Sequence, residues 1–158
     1  MKTFHELYLE ILKKEAGQGR NLIEDYNPYH LDCLLHPEKH APVIWAEPCE
    51  ECAYKRACVN SCVFDAIEER EDGTLHINAE KCTGCGVCVD ACRLGRLEES
   101  KDVLPVLKEV REKKRDVYAL IAPAFTGQFG EKATPGRLRT ALKAVGFKGM
   151  VEVAVFAD

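Results

Sequence analysis

The sequence predicts an α+β protein, with a βαββαβ unit over residues 43–98 flanked by an N-terminal helix and a C-terminal βαβ unit. Three observations predict it. Eight of the nine cysteines fall in two runs of similar spacing, so the middle of the chain repeats internally. Asp72-Gly73 stands between the runs, and this is a hairpin signal because both central positions of a type I′ turn need positive φ. Beyond residue 116 the cysteines stop and two apolar runs bracket one helical stripe, the pattern of a parallel βαβ unit.

The elements follow in chain order. Residues 1–42 form an N-terminal helix and a wrapping segment. Phe4, Leu7, Tyr8, Ile11 and Leu12 recur at helical spacing within residues 1–16. Thr3 and Glu6 make a capping-box pair at the start, and Gly17 and Gly19 end the helix. Its apolar stripe belongs against a core. Residues 20–48 read as irregular, because Asn27-Pro28, His36-Pro37, Ala41-Pro42 and Glu47-Pro48 each disfavour helix before the proline. Val43-Ile44-Trp45 is a short strand within that stretch. Trp45 reads as a core aromatic, with shielding of a cofactor as the alternative.

In residues 43–98 each half is a cysteine-rich loop followed by a short helix, and Leu75 and Ile77 alternate with polar residues as in an antiparallel strand. Residues 99–116 are a linker helix with Val103, Leu107 and Val110 on one stripe. Pro105 is tolerated there if Asp102 is the cap, since it then falls in the first turn. The basic residues from Arg111 to Arg115 suit the negative end of the helix dipole. Residues 117–158 are expected to be an incomplete α/β domain. Val117-Tyr118-Ala119-Leu120-Ile121-Ala122 reads as a strand buried on both faces. Thr134-Pro135 opens a helix bearing Leu138, Ala141, Leu142 and Val145, and Gly146 closes it. Residues 150–157 read as a second strand. Two strands and one helix cannot cover both faces of a parallel sheet, so this part is expected to open a larger domain.

A chain of 158 residues suits one ordinary domain, or a small domain plus pieces. The formal charge of −4 gives no basic footprint for nucleic acid. No apolar run approaches the length of about 18 residues that spans a bilayer, so no membrane partner is expected. The start, Met1-Lys2-Thr3-Phe4-His5-Glu6, mixes charge among its apolar positions and does not read as a signal peptide. Nine cysteines without an export signal point to metal rather than disulfides, and to a cytoplasmic location.

The spacing of the cysteines names the metal. A cubane of four irons needs four soft thiolates, and Cys82-x2-Cys85-x2-Cys88-x3-Cys92 is the run that wraps a [4Fe–4S] cluster. Cys49-x2-Cys52-x5-Cys58-x3-Cys62 is the same run with its middle gap widened by Ala53-Tyr54-Lys55-Arg56-Ala57. A tight loop supplies three thiolates, and in two-cluster proteins the fourth comes from the other run. One cluster is therefore assigned to Cys82, Cys85, Cys88 and Cys62, and the other to Cys49, Cys52, Cys58 and Cys92. Gly84 and Gly86 let the backbone curl so that N–H groups face the cluster sulfurs. A degraded site or a three-iron cluster is the alternative for the widened run. Zinc is the competing metal for the run from Cys82 to Cys92, and its third cysteine at x2 argues against it.

Lys55 and Arg56 read as a solvated loop tip, with a higher cluster potential or a partner contact as the alternative. Val63 and Arg93 stand where proline usually follows such runs, which leaves the loop geometry open. Cys33 is left over. It reads as a buried or spare thiol, since its spacing to His30, His36 and His40 matches no tetrahedral zinc pattern.

Residues 49–98 resemble the bacterial two-cluster ferredoxins, by both runs and by Cys62-Val63-Phe64-Asp65-Ala66-Ile67. The tail resembles the start of the catalytic domain of [FeFe]-hydrogenases, closest to the divergent group-B type. It does so through Val117-Tyr118-Ala119-Leu120-Ile121-Ala122-Pro123-Ala124, Gly127-Gln128-Phe129, Leu138-Arg139-Thr140-Ala141-Leu142-Lys143, Gly146-Phe147 and Val151-Glu152-Val153-Ala154. The resemblance implies a ferredoxin-like dicluster unit acting as the electron relay of a hydrogenase-like oxidoreductase in an anaerobe. In that family the H-cluster, a [4Fe–4S] cubane bridged to a two-iron centre, takes its cysteine ligands from later motifs. No cysteine follows Cys92, and only Ala122-Pro123-Ala124 matches a stretch lining that pocket. No catalytic residue is assigned. The implied partner is the rest of a hydrogenase catalytic domain or another redox protein. A redox-sensing or scaffold module that docks a partner through its C-terminal βαβ unit is the alternative.

Overall fold

Helix α1 (Phe4–Glu15) begins at the expected capping box: Glu6 N–H donates to Thr3 Oγ1 at 3.2 Å, and the Glu6 carboxylate accepts from Thr3 N–H at 2.9 Å. The computed structural model describes residues 1–17, 23–49, 52, 54–130 and 132–156. Gly17, at φ +73°, follows the last turn as expected, while Gly19 lies outside the described residues. The chain forms two compact units, residues 1–104 and 105–158, and the division falls within one helix.

The segment expected to be irregular contains a second helix, α2 (Pro28–Leu35), and a 3-10 turn at Pro37–Lys39. The prolines explain the difference. Pro28 does not interrupt a helix but opens one, at a position whose N–H has no intrahelical partner. Asn27 is the cap, its side-chain oxygen accepting from Tyr29 N–H at 3.0 Å. α2 packs on α1, and Phe4, Leu7, Ile11, Cys33, Leu34, Ile44 and Leu104 make one buried core.

Strand β1 (Val43–Trp45) joins that core to the next through the period of two along a strand. Ile44 faces the helical core, while Val43 enters a second core with Ala41, Cys58, Ile67, Ile77, Cys88 and Leu97. Trp45 packs against this second core and is half-buried. Around it run α3 (Ala57–Ser61), β2 (Ile67–Glu69), β3 (Leu75–Ile77), α4 (Val87–Ala91) and β4 (Leu97–Glu99). The order from β1 to β4 is the expected βαββαβ. β1 pairs antiparallel with β4, Val43 opposite Glu99 and Trp45 opposite Leu97. β2 pairs antiparallel with β3, Ile67 opposite Ile77.

The β2–β3 turn differs in type from the expected one. Only Gly73 has positive φ, at +79°, and Asp72 does not. Gly73 N–H donates to Arg70 O at 2.9 Å and Arg70 N–H to Thr74 O at 2.8 Å, a three-residue loop ending in a left-handed glycine. Asp72 instead accepts from Thr74 N–H at 2.9 Å, so its side chain rather than its backbone supports the turn.

Helix α5 (Val103–Glu112) buries Leu104 and Val110, whereas Val103, expected on the inner stripe, is 42% exposed. In the second unit β5 (Tyr118–Ile121) and β6 (Gly149–Glu152) pair in parallel across α6 (Pro135–Val145), as the βαβ pattern predicts. Thr134 caps α6, accepting from Arg137 N–H at 3.3 Å. β5 is not buried on both faces. Its residues alternate, with Tyr118 51% and Leu120 65% exposed, and α6 packs on β6. β6 is also shorter than expected. It gives way to a 3-10 turn at Val153–Phe156, and Ala157 lies outside the described residues.

Candidate metal centre

The two halves of the central unit present their cysteines in the same way. Cys58 sits in α3 and Cys88 in α4, and both are buried. Cys62 and Cys92 are the C-caps of those helices, where the chain turns extended. Each of these capping thiols accepts a backbone N–H four residues on: Ala66 N–H to Cys62 Sγ at 3.3 Å, and Arg96 N–H to Cys92 Sγ at 3.4 Å. Such bonds fix the direction of a sulfur and stabilise its thiolate.

Thiols of the two runs lie within electrostatic reach of one another. Burial pushes the Cys58 thiol up, and the thiols of Cys92, Cys49 and Cys52 push it further. Cys49 is pushed up by burial and then by Cys52 and Cys92. Cys88 is pushed up by burial, by Cys82, and by Cys62 and Cys85. Cys49, Cys52 and Cys92 thus all act on Cys58, and Cys62, Cys82 and Cys85 all act on Cys88. α3 and α4 pack side by side, which carries the last cysteine of each run to the neighbourhood of the other.

The second set lines a small apolar cavity whose other walls include Val43, Ile67 and Ile77. Gly84 and Gly86 complete it, at φ +69° and +78°. A Cβ on Gly84 would lie 2.9 Å from Pro42 Cβ, and one on Gly86 would lie 2.9 Å from Glu99 Oε1. Four thiols around an apolar cavity, on a backbone that only glycine can follow, fit an iron–sulfur cubane. Among the described residues no three thiols, imidazoles or carboxylates converge closely enough to hold a single metal ion. A cubane asks for less convergence, because each thiolate takes its own corner iron.

The remaining candidates go elsewhere. Cys33 is fully buried in the helical core, where burial pushes its thiol up and the Tyr29 hydroxyl is its hydrogen-bond partner. The nearby histidines do not converge on it. His40 Nε2 lies 2.7 Å from Asp32 Oδ2, His36 Nδ1 lies 3.6 Å from Glu38, and buried His30 stacks edge-on to Phe4. Arg56 is not a solvated tip. It is the N-cap of α3 at φ 54°, pairs with Glu69, and donates to Gly73 O at 3.0 Å. Lys55 is exposed as expected. Arg96 carries no signal in the linear sequence, although laying the two cysteine runs over each other singles it out opposite Ala66.

Comparison with known proteins first defines the class. Residues 75–95 match a 4Fe-4S binding domain, and residues 115–158 match the C-terminal domain of the iron only hydrogenase large subunit. The chain thus has a ferredoxin-like segment followed by a hydrogenase-like one. Particular relatives follow from the same comparison. A component of the Na(+)-translocating ferredoxin:NAD(+) oxidoreductase complex of Acetobacterium woodii is 40% identical over 55 residues, 35% of this chain and 14% of that protein. The electron transport protein HydN of Escherichia coli is 36% identical over 64 residues, 40% of this chain and 35% of that protein. A component of the selenate reductase of Mesobacillus selenatarsenatis is 26% identical over 89 residues, 56% of this chain and 24% of that protein. The chain therefore spans about a third or less of these relatives. No helix among the described residues is long and apolar enough to cross a membrane.

Proposed function

We propose that the chain carries two [4Fe–4S] clusters as a one-electron relay, and that the relay serves a hydrogenase-like oxidoreductase. Cys49, Cys52, Cys58 and Cys92 would hold one cluster, and Cys62, Cys82, Cys85 and Cys88 the other. The observation that carries this reading is that thiols of the two runs lie within electrostatic reach of one another across the repeat. Each bound cluster supplies reversible uptake of one electron. The chain's own residues supply the rest: the thiolates bind, the amides of Ala66 and Arg96 orient the capping sulfurs, and Val43, Ile67 and Ile77 keep water from the second set.

The match of residues 115–158 to a hydrogenase domain favours a hydrogenase-like catalytic domain, or another redox protein, as the electron partner. The relatives named as parts of a complex or as electron transport proteins favour the same kind of arrangement. Nine thiols, none in a disulfide among those described, suit a reducing cytoplasm and an anaerobic host. A docking role for the second unit is a further reading, favoured by the outward Tyr118, Leu120 and Phe156.

Anaerobic iron and sulfide quantitation, with EPR of the dithionite-reduced protein, tests the relay. About eight irons and about eight sulfides with spin-coupled signals are expected. About four irons would reduce the relay to one cluster, and zinc without acid-labile sulfide would overturn it.

A further inference from the structure

From Cys52 onward the two halves of the central unit repeat with an offset of 30 residues: Cys52 on Cys82, Cys58 on Cys88, Cys62 on Cys92, and Glu68-Glu69 on Glu98-Glu99. This register sets Lys55 on Cys85, so the first half has no thiol at the middle of its loop. Cys49, three residues upstream of the repeated stretch, makes up the number. The first set therefore draws its thiols from a longer piece of chain than the second, and that longer piece has to be held.

The second loop is held by backbone contact. Gly84 lies so close to Pro42 that a Cβ there would come within 2.9 Å. The register sets Tyr54 on Gly84, and no tyrosine could make that approach. Tyr54 is held through its ring instead. The Arg93 guanidinium lies over that ring, 5.6 Å from its centre, which is cation–π distance. Arg93 follows Cys92 directly, so the contact joins the loop between Cys52 and Cys58 to the last cysteine of the other run. The second half cannot make it. Val63 stands where Arg93 does, 82% exposed, and Gly84 stands where the ring does. The first site departs from the ferredoxin pattern twice, in its widened gap and in the absence of proline after Cys92. The two departures supply the two partners of one contact.

The rest of the insertion is anchored within its own half. The Asn60 side chain donates to Lys55 O at 3.2 Å, and Arg56 donates to Gly73 O at 3.0 Å. Lys55 and Arg56 sit at left-handed φ, +50° and +54°, a strained conformation for residues that carry a Cβ. A loop under such strain keeps its shape only while its surroundings hold it.

We propose that Tyr54 and Arg93 form a strap between the two runs, and that the strap keeps the cluster of Cys49, Cys52, Cys58 and Cys92 in its four-iron form. This rests on the two-cluster reading above. Both are positioning residues, since neither ligates iron. With the strap open, the widened loop is free to draw a thiolate off its iron. Oxygen then takes one electron from the cluster, one ferrous ion leaves, and three irons with all four sulfides stay on the other three thiolates. The strap slows that loss.

The test exposes the loaded full chain to air and follows iron release and the EPR of the oxidised protein. It compares the wild type, Tyr54→Ala, Arg93→Ala, the two together, and Tyr54→Phe. An oxidised four-iron cluster is EPR-silent and a three-iron one is not, so the signal reports the loss of one iron directly. Each single alanine variant should fall from about eight irons to about seven about two- to fivefold faster than the wild type, the span of an exposed cation–π contact, with the three-iron signal rising in step. The double variant should be no faster than the single ones. Tyr54→Phe keeps the ring and should match the wild type. Three results would each overturn the proposal alone: wild-type rates in both alanine variants, a double variant whose acceleration is the product of the two, or Tyr54→Phe as fast as Tyr54→Ala. About four irons in the wild type would overturn the two-cluster reading and this proposal with it.

Discussion

Two double substitutions separate crossed from uncrossed ligation, and their outcomes exchange. In the crossed arrangement Cys62→Ala and Cys82→Ala strike the same set and leave Cys49, Cys52, Cys58 and Cys92 whole. Iron should then fall from about eight to about four per chain, and the spin coupling should vanish because one cluster stands alone. If each run served its own cluster, the same pair would strike both sets and leave no complete tetrad. Cys52→Ala with Cys62→Ala reverses the logic: crossed ligation loses both clusters, while uncrossed ligation keeps one. Behind the expectation lie the packing of α3 beside α4 and the action of Cys62 on Cys88 and of Cys92 on Cys58. Iron, sulfide and EPR on both variants decide it. Retention of about four irons by Cys52→Ala/Cys62→Ala and none by Cys62→Ala/Cys82→Ala would refute the crossing. Because cluster binding is also folding energy, the protein that keeps one cluster should stay folded and the one that loses both should not.

Other perturbations test the frame around the sites. Leu7→Ala removes a fully buried side chain from the helical core and should cost about 2–5 kcal/mol by denaturant unfolding. Gly84→Ala meets both a left-handed backbone and Pro42, so it should lower sulfide content, whereas Gly73→Ala, with φ +79° but open space around it, should keep its clusters. Thr3→Ala removes the α1 cap and should cost about 1 kcal/mol, read as a fall in unfolding midpoint. The backbone N–H and hydroxyl of Thr3 hold the Glu6 carboxyl below its usual value. The sign then follows: the cap's contribution is present at neutral pH and fades as pH falls through that lowered midpoint. An NMR titration of Glu6 should show the depressed midpoint in the wild type and its return toward the ordinary range in Thr3→Ala.

Local signals were legible in the sequence and through-space ones were not. The capping box of Thr3 and Glu6 and the helical spacing of Phe4, Leu7 and Ile11 each lie within a few residues, and the structure keeps them. The cysteine runs announced the metal through spacing alone. Asn27-Pro28 was misread because proline both ends and begins helices, and only the packing of Cys33 and Leu34 on α1 distinguishes the two uses here. Asp72-Gly73 marked the hairpin correctly but not its turn type, since the carboxylate of Asp72 competes for the Thr74 amide. Leu120 looked interior because an apolar run records preference for burial, whereas exposure depends on what lies over the sheet. Arg96 was silent in the chain because its partners, the Cys92 sulfur for its N–H and Glu47 for its side chain, are set by the fold and follow no linear pattern.

The pairing of β1 with β4 has a consequence of a different kind. The strand that enters the central unit and the strand that leaves it lie next to each other, Val43 beside Glu99. Entry and exit are therefore about 5 Å apart, the spacing of neighbouring strands. A unit whose ends meet can be spliced into a host loop, or joined to a further domain at either end, without parting its own halves. The wiring is portable: a whole cassette of thiol loops can move between host proteins as a single graft, and the host need supply only two adjacent points of attachment.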